Sequence, residues 1–202
     1  MNNPVRALLQ WHYEAPLLEH LGGRVDGMRA LEIGCGRGIG TEIILKRFGA
    51  GRVYAFDLDL DLVQQAQRRL AACPAHAVQL GVADASAIPA EDESFDAVFD
   101  YGVIHHVPDW RAAVSEIRRV LRHDGRFFFE EVTRQALGRW LYRTFLQHPT
   151  EDRFSGEEFV AELERQGIVV DRNVVHRFRG DFILGVGRRT RRPAGERKER
   201  LT

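Results

Sequence analysis

The run Leu31-Glu32-Ile33-Gly34-Cys35-Gly36-Arg37-Gly38-Ile39-Gly40-Thr41 sets glycine at every second position from 34 to 40, between an apolar stretch and a helical pattern. Glycine takes positive φ freely and has no Cβ, so a ligand can lie directly against such a backbone. The unpaired amides at the start of the following helix suit a carboxylate or phosphate. The spacing excludes two phosphate cradles. Gly34 and Gly36 would need glycine at position 39 to complete the dinucleotide pattern GxGxxG, and that residue is Ile39. No GxxxxGK(S/T) run occurs. Two acids extend the picture. Asp57 closes the next strand-like run, RVYAFD, where a carboxylate can accept hydrogen bonds from both hydroxyls of a ribose. Asp84 follows the third such run and can reach an adenine amino group, with Ala83 and Ala85 leaving room for the ring. Glycine turn and acids together point to a nucleoside-bearing ligand. Asp59 and Asp61 read instead as acids favouring the start of a helix.

A second group could move protons. His105 and His106 lie in the loop after a fourth strand-like run, and imidazole titrates in the range of a general base. Packing at the entry to a helix, just before Pro108, is their competing role. Glu130 and Glu131 end a fifth run. One is expected to face the ligand pocket and the other to be solvated; Glu131 joins His105 and His106 as the candidate catalytic set. Cys35 reads as a small packing residue inside the turn, since no histidine stands in relation to it. Adjacent histidines do not readily chelate one ion and no ligand-spaced cluster appears, so no metal site is expected.

These side chains need a frame. Strand-like runs at 29–33, 52–57, 76–82, 95–100 and 125–131 alternate with helical patterns at 41–48, 60–72 and 110–121. Such alternation implies βαβ units with right-handed crossovers, a mostly parallel sheet and helices on both faces. Ser155-Gly156-Glu157-Glu158 is a capping box opening another helix, and runs at 168–178 and 181–186, split by Gly180, read as a closing hairpin. Residues 1–21 read as a helical lead-in broken at Pro16 and ended by Gly22-Gly23. The 202 residues, 44% apolar and 29% charged, suit one α/β domain.

Four ordered segments resemble the class I S-adenosylmethionine-dependent methyltransferases, and most closely the small-molecule enzymes typified by ubiquinone and menaquinone biosynthesis. They are LEIGCGRGIGT (31–41), VYAFDLD (53–59), VADASAIPAEDESFDAVFD (82–100) and YGVIHHVPDWRAAVSEIRRVLRHDGRFFF (101–129), spread over about residues 27–131. The resemblance implies a Rossmann-like seven-stranded sheet with its last strand antiparallel and S-adenosyl-L-methionine as cofactor. It implies that Glu32, Gly34, Gly36 and Gly38, with Cys35 in the same turn, line the methionine part. Asp57 would hold the ribose, Leu58 would flank the adenine, Asp84 and Ala85 would contact it, and Tyr101 would lie near the methionine. The sequence departs from typical members in lacking a sizeable substrate-cap insertion and in its shortened carboxyl-terminal half. The acceptor implied is a small molecule of unspecified methylated atom.

Two segments remain to select that acceptor: the lead-in (1–26), with Trp11, His12 and Tyr13, and residues 133–154, with Trp140, Tyr142 and Phe145 among arginines. The second reads as a lid or cap, and less readily as a contact with a membrane surface. The domain proper is expected at 27–187. From Arg188 onward seven basic residues face two acidic ones, giving +5 against −5 for the rest of a chain whose formal net charge is zero. Without interleaved aromatics this stretch reads as a solvated, poorly ordered tail and not as a nucleic-acid arm. Two cysteines cannot frame a disulfide scaffold, and neither a signal peptide nor a membrane span is visible, so a cytoplasmic setting is expected. Two other readings stand beside the small-molecule enzyme: a non-catalytic protein that keeps the fold to bind a partner, and a macromolecule methyltransferase guided by the tail. Against the latter, Asp100-Tyr101-Gly102-Val103 does not match the Asn/Asp-Pro-Pro-Tyr/Phe motif of amino-nitrogen methylating relatives.

Overall fold

The computed structural model describes residues 4–137 and 153–190. Five parallel strands form the body of the sheet: β1 (Arg29–Ile33), β2 (Arg52–Asp57), β3 (Val78–Val82), β4 (Phe95–Tyr101) and β5 (Leu121–Val132). Beyond β5 lies β8 (Phe182–Arg189), antiparallel, and the order is β3-β2-β1-β4-β5-β8-β6. The expected seven positions are present, but the outermost is split into two short strands, making eight. β6 (Ile168–Val169) pairs with the end of β8, and β7 (Val174–Arg177) pairs with its start. Between them Asp171 takes positive φ (49°), which breaks the extended run.

Helices cover both faces. One face carries α3 (Ile39–Lys46), α4 (Leu60–Arg69) and the amino-terminal helix; the other carries α5 (Trp110–Val120) and α7 (Gly156–Arg165). Strand alternation sorts the apolar residues between two cores. Phe127 and Phe129 pack with Trp110 and Phe159 on one side, while Phe128 packs with Phe48 and Phe99 on the other. The helix starts follow the local sequence. Asp59 accepts from the Asp61 amide at 2.8 Å to cap α4, and Ser155 and Glu158 form the reciprocal capping box of α7. Each such cap contributes about 1 kcal/mol.

Three expectations need correction. The lead-in does not break at Pro16. α1 (Pro4–Leu9) runs through a π-helical turn, Gln10–Glu14, into α2 (Ala15–Gly22). The Ala15 amide reaches the Gln10 carbonyl, five residues back; proline lacks an N–H, and the wider turn takes up that missing bond. Second, β5 begins at Leu121, four residues before the expected start, with an irregular register opposite Phe95 and Ala97. Third, Arg188 and Arg189 do not belong to a solvated tail. They end β8, and Arg189 is buried, pairing with Glu93 at 2.9 Å. Residues 191–202 and 138–152 lie outside the described residues; of the expected 133–154 cap, only the short α6 (Arg134–Leu137) and the segment from Arg153 fall within them. Among the described residues no helix is long and apolar enough to cross a membrane.

Candidate active site

The carboxyl ends of the parallel strands open on one edge of the sheet, where an α/β fold places its ligand crevice. A cavity of about 1060 Å³ lies there, and its two ends differ in construction.

At the first end the glycine turn leaves β1 and enters α3. Gly34, Gly36 and Gly38 all have positive φ (66°, 50° and 83°), and Gly38 is the left-handed cap of α3. A Cβ on Gly34 would overlap the Val103 side chain, and one on Gly40 would overlap the Glu32 carboxyl. Only bare backbone fits at these points. The turn is tied to β2: the Gly36 amide donates to Asp57 Oδ2 at 2.9 Å, and Asp57 Oδ1 accepts from the Asp59 amide at 3.0 Å. Glu32 is buried beneath the turn and accepts from the Thr41 hydroxyl. Burial first, with the nearby Asp57 charge, pushes its carboxyl up to about 8 against that hydrogen bond. Asp84 accepts from the amide and hydroxyl of Ser86, both at 2.8 Å, which hold its carboxyl below the usual range. Leu58, 74% exposed, and buried Ala85 flank the same crevice. Cys35 is buried, and its thiol is pushed far up by burial and by the charges of Glu32 and Asp57. It lines the cavity within the turn, and a thiol held protonated in this way is a poor nucleophile.

Tyr101 stands between the two ends, 8% exposed. Its hydroxyl is shielded from solvent and has no hydrogen-bond partner among the described residues.

The second end is assembled from distant segments. Arg6, Gln10, Tyr13 and Glu14 enter from the amino-terminal helix, Glu130 and Val132 from β5, and Phe182 and Leu184 from β8. Arg6 bonds Glu14 and, at 2.6 Å, Glu130 Oε2. Burial, then the facing charge of Glu130, raises the Glu14 carboxyl to about 8 despite its bond to Arg6. Of the lead-in aromatics named from the sequence, Tyr13 lines the cavity and Trp11 and His12 do not. Arg6, Gln10 and Glu14 were missed. Their signal was the four-residue spacing of polar groups on one helix face.

The catalytic set drawn from the sequence is rearranged. Neither glutamate at the end of β5 is solvated: Glu130 and Glu131 are 4% and 0% exposed. Alternation turns Glu130 into the cavity and Glu131 to the opposite face, where it does not line the cavity. There Glu131 accepts from the amides of Ile104 (2.6 Å) and His105 (3.3 Å) and bonds His105 Nδ1 at 2.5 Å. Burial raises Glu131 to about 7 and pushes its neighbour Asp100 well above the carboxylate range, so Asp100 keeps its proton and donates it to Glu131. Asp100 also accepts from the Val103 amide at 2.9 Å. The network shapes the 100–106 loop. His105 and His106 both border the cavity, with ring centroids 4.0 Å apart. Burial lowers His105 to about 4, leaving it a neutral, weakly basic imidazole at neutral pH.

Among the described residues this parallel sheet, its one antiparallel strand and the crevice at the glycine turn have the fold of the class I S-adenosylmethionine-dependent methyltransferases. Residues 31–129 match the family model described as a methyltransferase domain. The fatty-acid O-methyltransferase of Mycolicibacterium smegmatis is 33% identical over 107 residues, 53% of this chain and 38% of that protein. The malonyl-(acyl-carrier protein) O-methyltransferase of Halorhodospira halophila is 30% identical over 167 residues, 76% of this chain and 56% of that protein. A solved S-adenosylmethionine-dependent methyltransferase from Aquifex aeolicus superposes with a TM-score of 0.71 at 24% identity, over 92% of this chain and 93% of that one. The chain spans 34–56% of the length of the first curated relatives it matches.

Proposed function

We propose that the protein transfers a methyl group from S-adenosylmethionine to a small-molecule acceptor by in-line displacement. The observation that carries this reading is the donor end itself. A turn too crowded for side chains is pinned to Asp57 and lies over the buried Glu32, with Asp84 on the same crevice. The residues fit the cofactor. Glu32 and the glycine turn would hold the methionine portion, Asp57 the ribose hydroxyls, and Leu58, Asp84 and Ala85 the adenine. Tyr101 would border the methionine side of the crevice. Bound there, the cofactor supplies a methyl carbon on a sulfonium, already a good leaving group. The chain's task is then to align the acceptor and exclude water. The apolar walls of the cavity serve exclusion, and the Glu131 network serves alignment by fixing the loop that carries His105 and His106. The two curated relatives described above are both named as O-methyltransferases, which supports oxygen as the methylated atom.

Calorimetry with S-adenosylhomocysteine on the intact chain and on Asp57→Ala tests the assignment. The substitution removes both the expected ribose acceptor and the tie to Gly36, so binding is expected to weaken by about a hundredfold, near 3 kcal/mol. Equal affinity in the two proteins would reject the crevice as the nucleoside site.

A further inference from the structure

The second end of the cavity lies beyond the residues proposed for the cofactor's ribose and adenine, yet it holds an ion-paired cluster in which Arg6 meets Glu14 and Glu130, acids only 7% and 4% exposed. Resting on the methyl-transfer reading, we infer that Arg6, Glu14, Glu130 and Tyr101 form the head-group site of the acceptor, that the acceptor presents a neutral hydroxyl on an apolar body, and that Glu130 takes its proton.

Register brings the parts together. Tyr101 and Glu130 are direct partners on the adjacent parallel strands β4 and β5, and Leu184 of β8 pairs with Glu130 on its other side. The amino-terminal helix crosses this face, so Arg6 reaches Glu130 across a sequence separation of 124 residues. The Tyr101 hydroxyl is buried and unpartnered, in a residue that borders both ends of the cavity. A buried hydroxyl without a partner costs about 1–3 kcal/mol, and a bound acceptor oxygen would relieve it.

Charge then selects the class of ligand. Arg6 is occupied by Glu14 and Glu130, so a carboxylate could pair with it only by displacing one of these acids, and the other cation at this end, Arg177, lies over the Tyr13 ring, 5.7 Å from its centre. An ammonium would sit beside Arg6 and, in the complex, near the sulfonium. With Glu14 holding its proton at neutral pH, the Arg6–Glu130 pair balances, and a neutral hydrogen-bonding group suits it best. The other titratable groups bordering the cluster are Glu32 from β1, His105 from the loop after β4 and Arg177 from β7. Around it, Leu9, Val132, Phe182 and Leu184 supply an apolar wall. In the reaction the acceptor oxygen forms its bond to the methyl carbon, the carbon–sulfur bond breaks with its electron pair staying on sulfur, and the hydroxyl proton passes to the Glu130 carboxylate and on to water.

The test uses three probes with one apolar body: para-hexylphenol, para-hexylbenzoate and para-hexylbenzylamine, titrated at neutral pH into the full chain with and without S-adenosylhomocysteine. The phenol is expected to bind at least about tenfold tighter than either charged analogue. Glu130→Gln is expected to keep S-adenosylhomocysteine affinity, which reports an intact fold, and to bind the phenol within about threefold. Its transfer rate to the phenol should fall by about a hundredfold or more. Tighter binding of a charged probe, binding of none, or transfer by Glu130→Gln within about tenfold of the parent overturns the head-group site. Failure of S-adenosylhomocysteine to bind would sink the methyl-transfer reading, while the ranking of the probes would still judge the head-group site.

Discussion

The two ends of the cavity are built by opposite means. The end proposed to hold the methyl donor comes mainly from backbone, a glycine turn and three strand ends between residues 32 and 85, and its conformation is held by main-chain geometry. The end proposed for the acceptor comes from side chains of residues 6–14, 130–132 and 177–184, held by part-buried ion pairs. A backbone cradle tolerates little substitution where a Cβ would collide, as at Gly34 and Gly40. A side-chain pocket can change its ligand by changing a few residues on the same scaffold.

The largest effect that would break this comparison is at the turn. Gly34→Ala adds a Cβ at positive φ that overlaps Val103, and cofactor affinity is expected to fall by more than about a hundredfold in calorimetry. A loss below about tenfold would mean that the donor end is not held by backbone.

Next is the pH dependence of stability, which both ends share. Burial raises Glu32 and Glu14 to about 8 and Glu131 to about 7, from a usual value of 4.5. Folded protein therefore binds protons that the unfolded chain has released. That stability is complete below the unfolded value near 4.5 and is lost as pH rises toward 8. Thermal melts of the ligand-free protein should show falling stability across this window. Glu32→Gln should remove its share of the slope at the donor end, and Glu14→Gln its share at the acceptor end. A flat profile in the parent would contradict the burial of these acids.

A smaller effect is expected of Asp100→Asn. Asparagine can still donate to Glu131 and accept from Val103 without the buried acid, so the variant should gain stability relative to the parent as pH rises above neutrality. The smallest concerns the mouth. Phe178, 71% exposed and edge-on to Phe182, should affect only acceptor capture. Phe178→Ser is expected to raise the acceptor KM about threefold and leave cofactor affinity unchanged. A change in cofactor binding would show that the two ends are coupled.

Legibility followed the same division. The glycine spacing, Asp57, Asp84 and the alternation of strands and helices are local patterns, and Gly34, Gly36, Gly40, Asp57 and Asp84 line one crevice, while Gly38, also expected there, packs against Ala66 and Leu70 instead. At the end of β5 the sequence offered two adjacent acids and no means of choosing. Alternation guaranteed that they would face opposite ways, but which faced the cavity depended on the side of the sheet covered by the amino-terminal helix. The same was true of His105, whose readiness as a base was lowered by a burial that only packing reveals. The basic run after residue 187 misled at its start: β8 carries Arg188 and Arg189 into the sheet, Arg188 with its side chain exposed and Arg189 buried against Glu93.

By itself, the sequence determined the α/β class, the parallel core and the donor cradle, because each depends on backbone preferences and short periodicities that neighbouring residues impose on one another. The tertiary structure alone decided that Arg6, Glu14 and Glu130 share one site and that Glu131 serves the loop instead. Those outcomes depend on which surfaces meet, and contacts between residues more than a hundred positions apart leave no local trace in the chain.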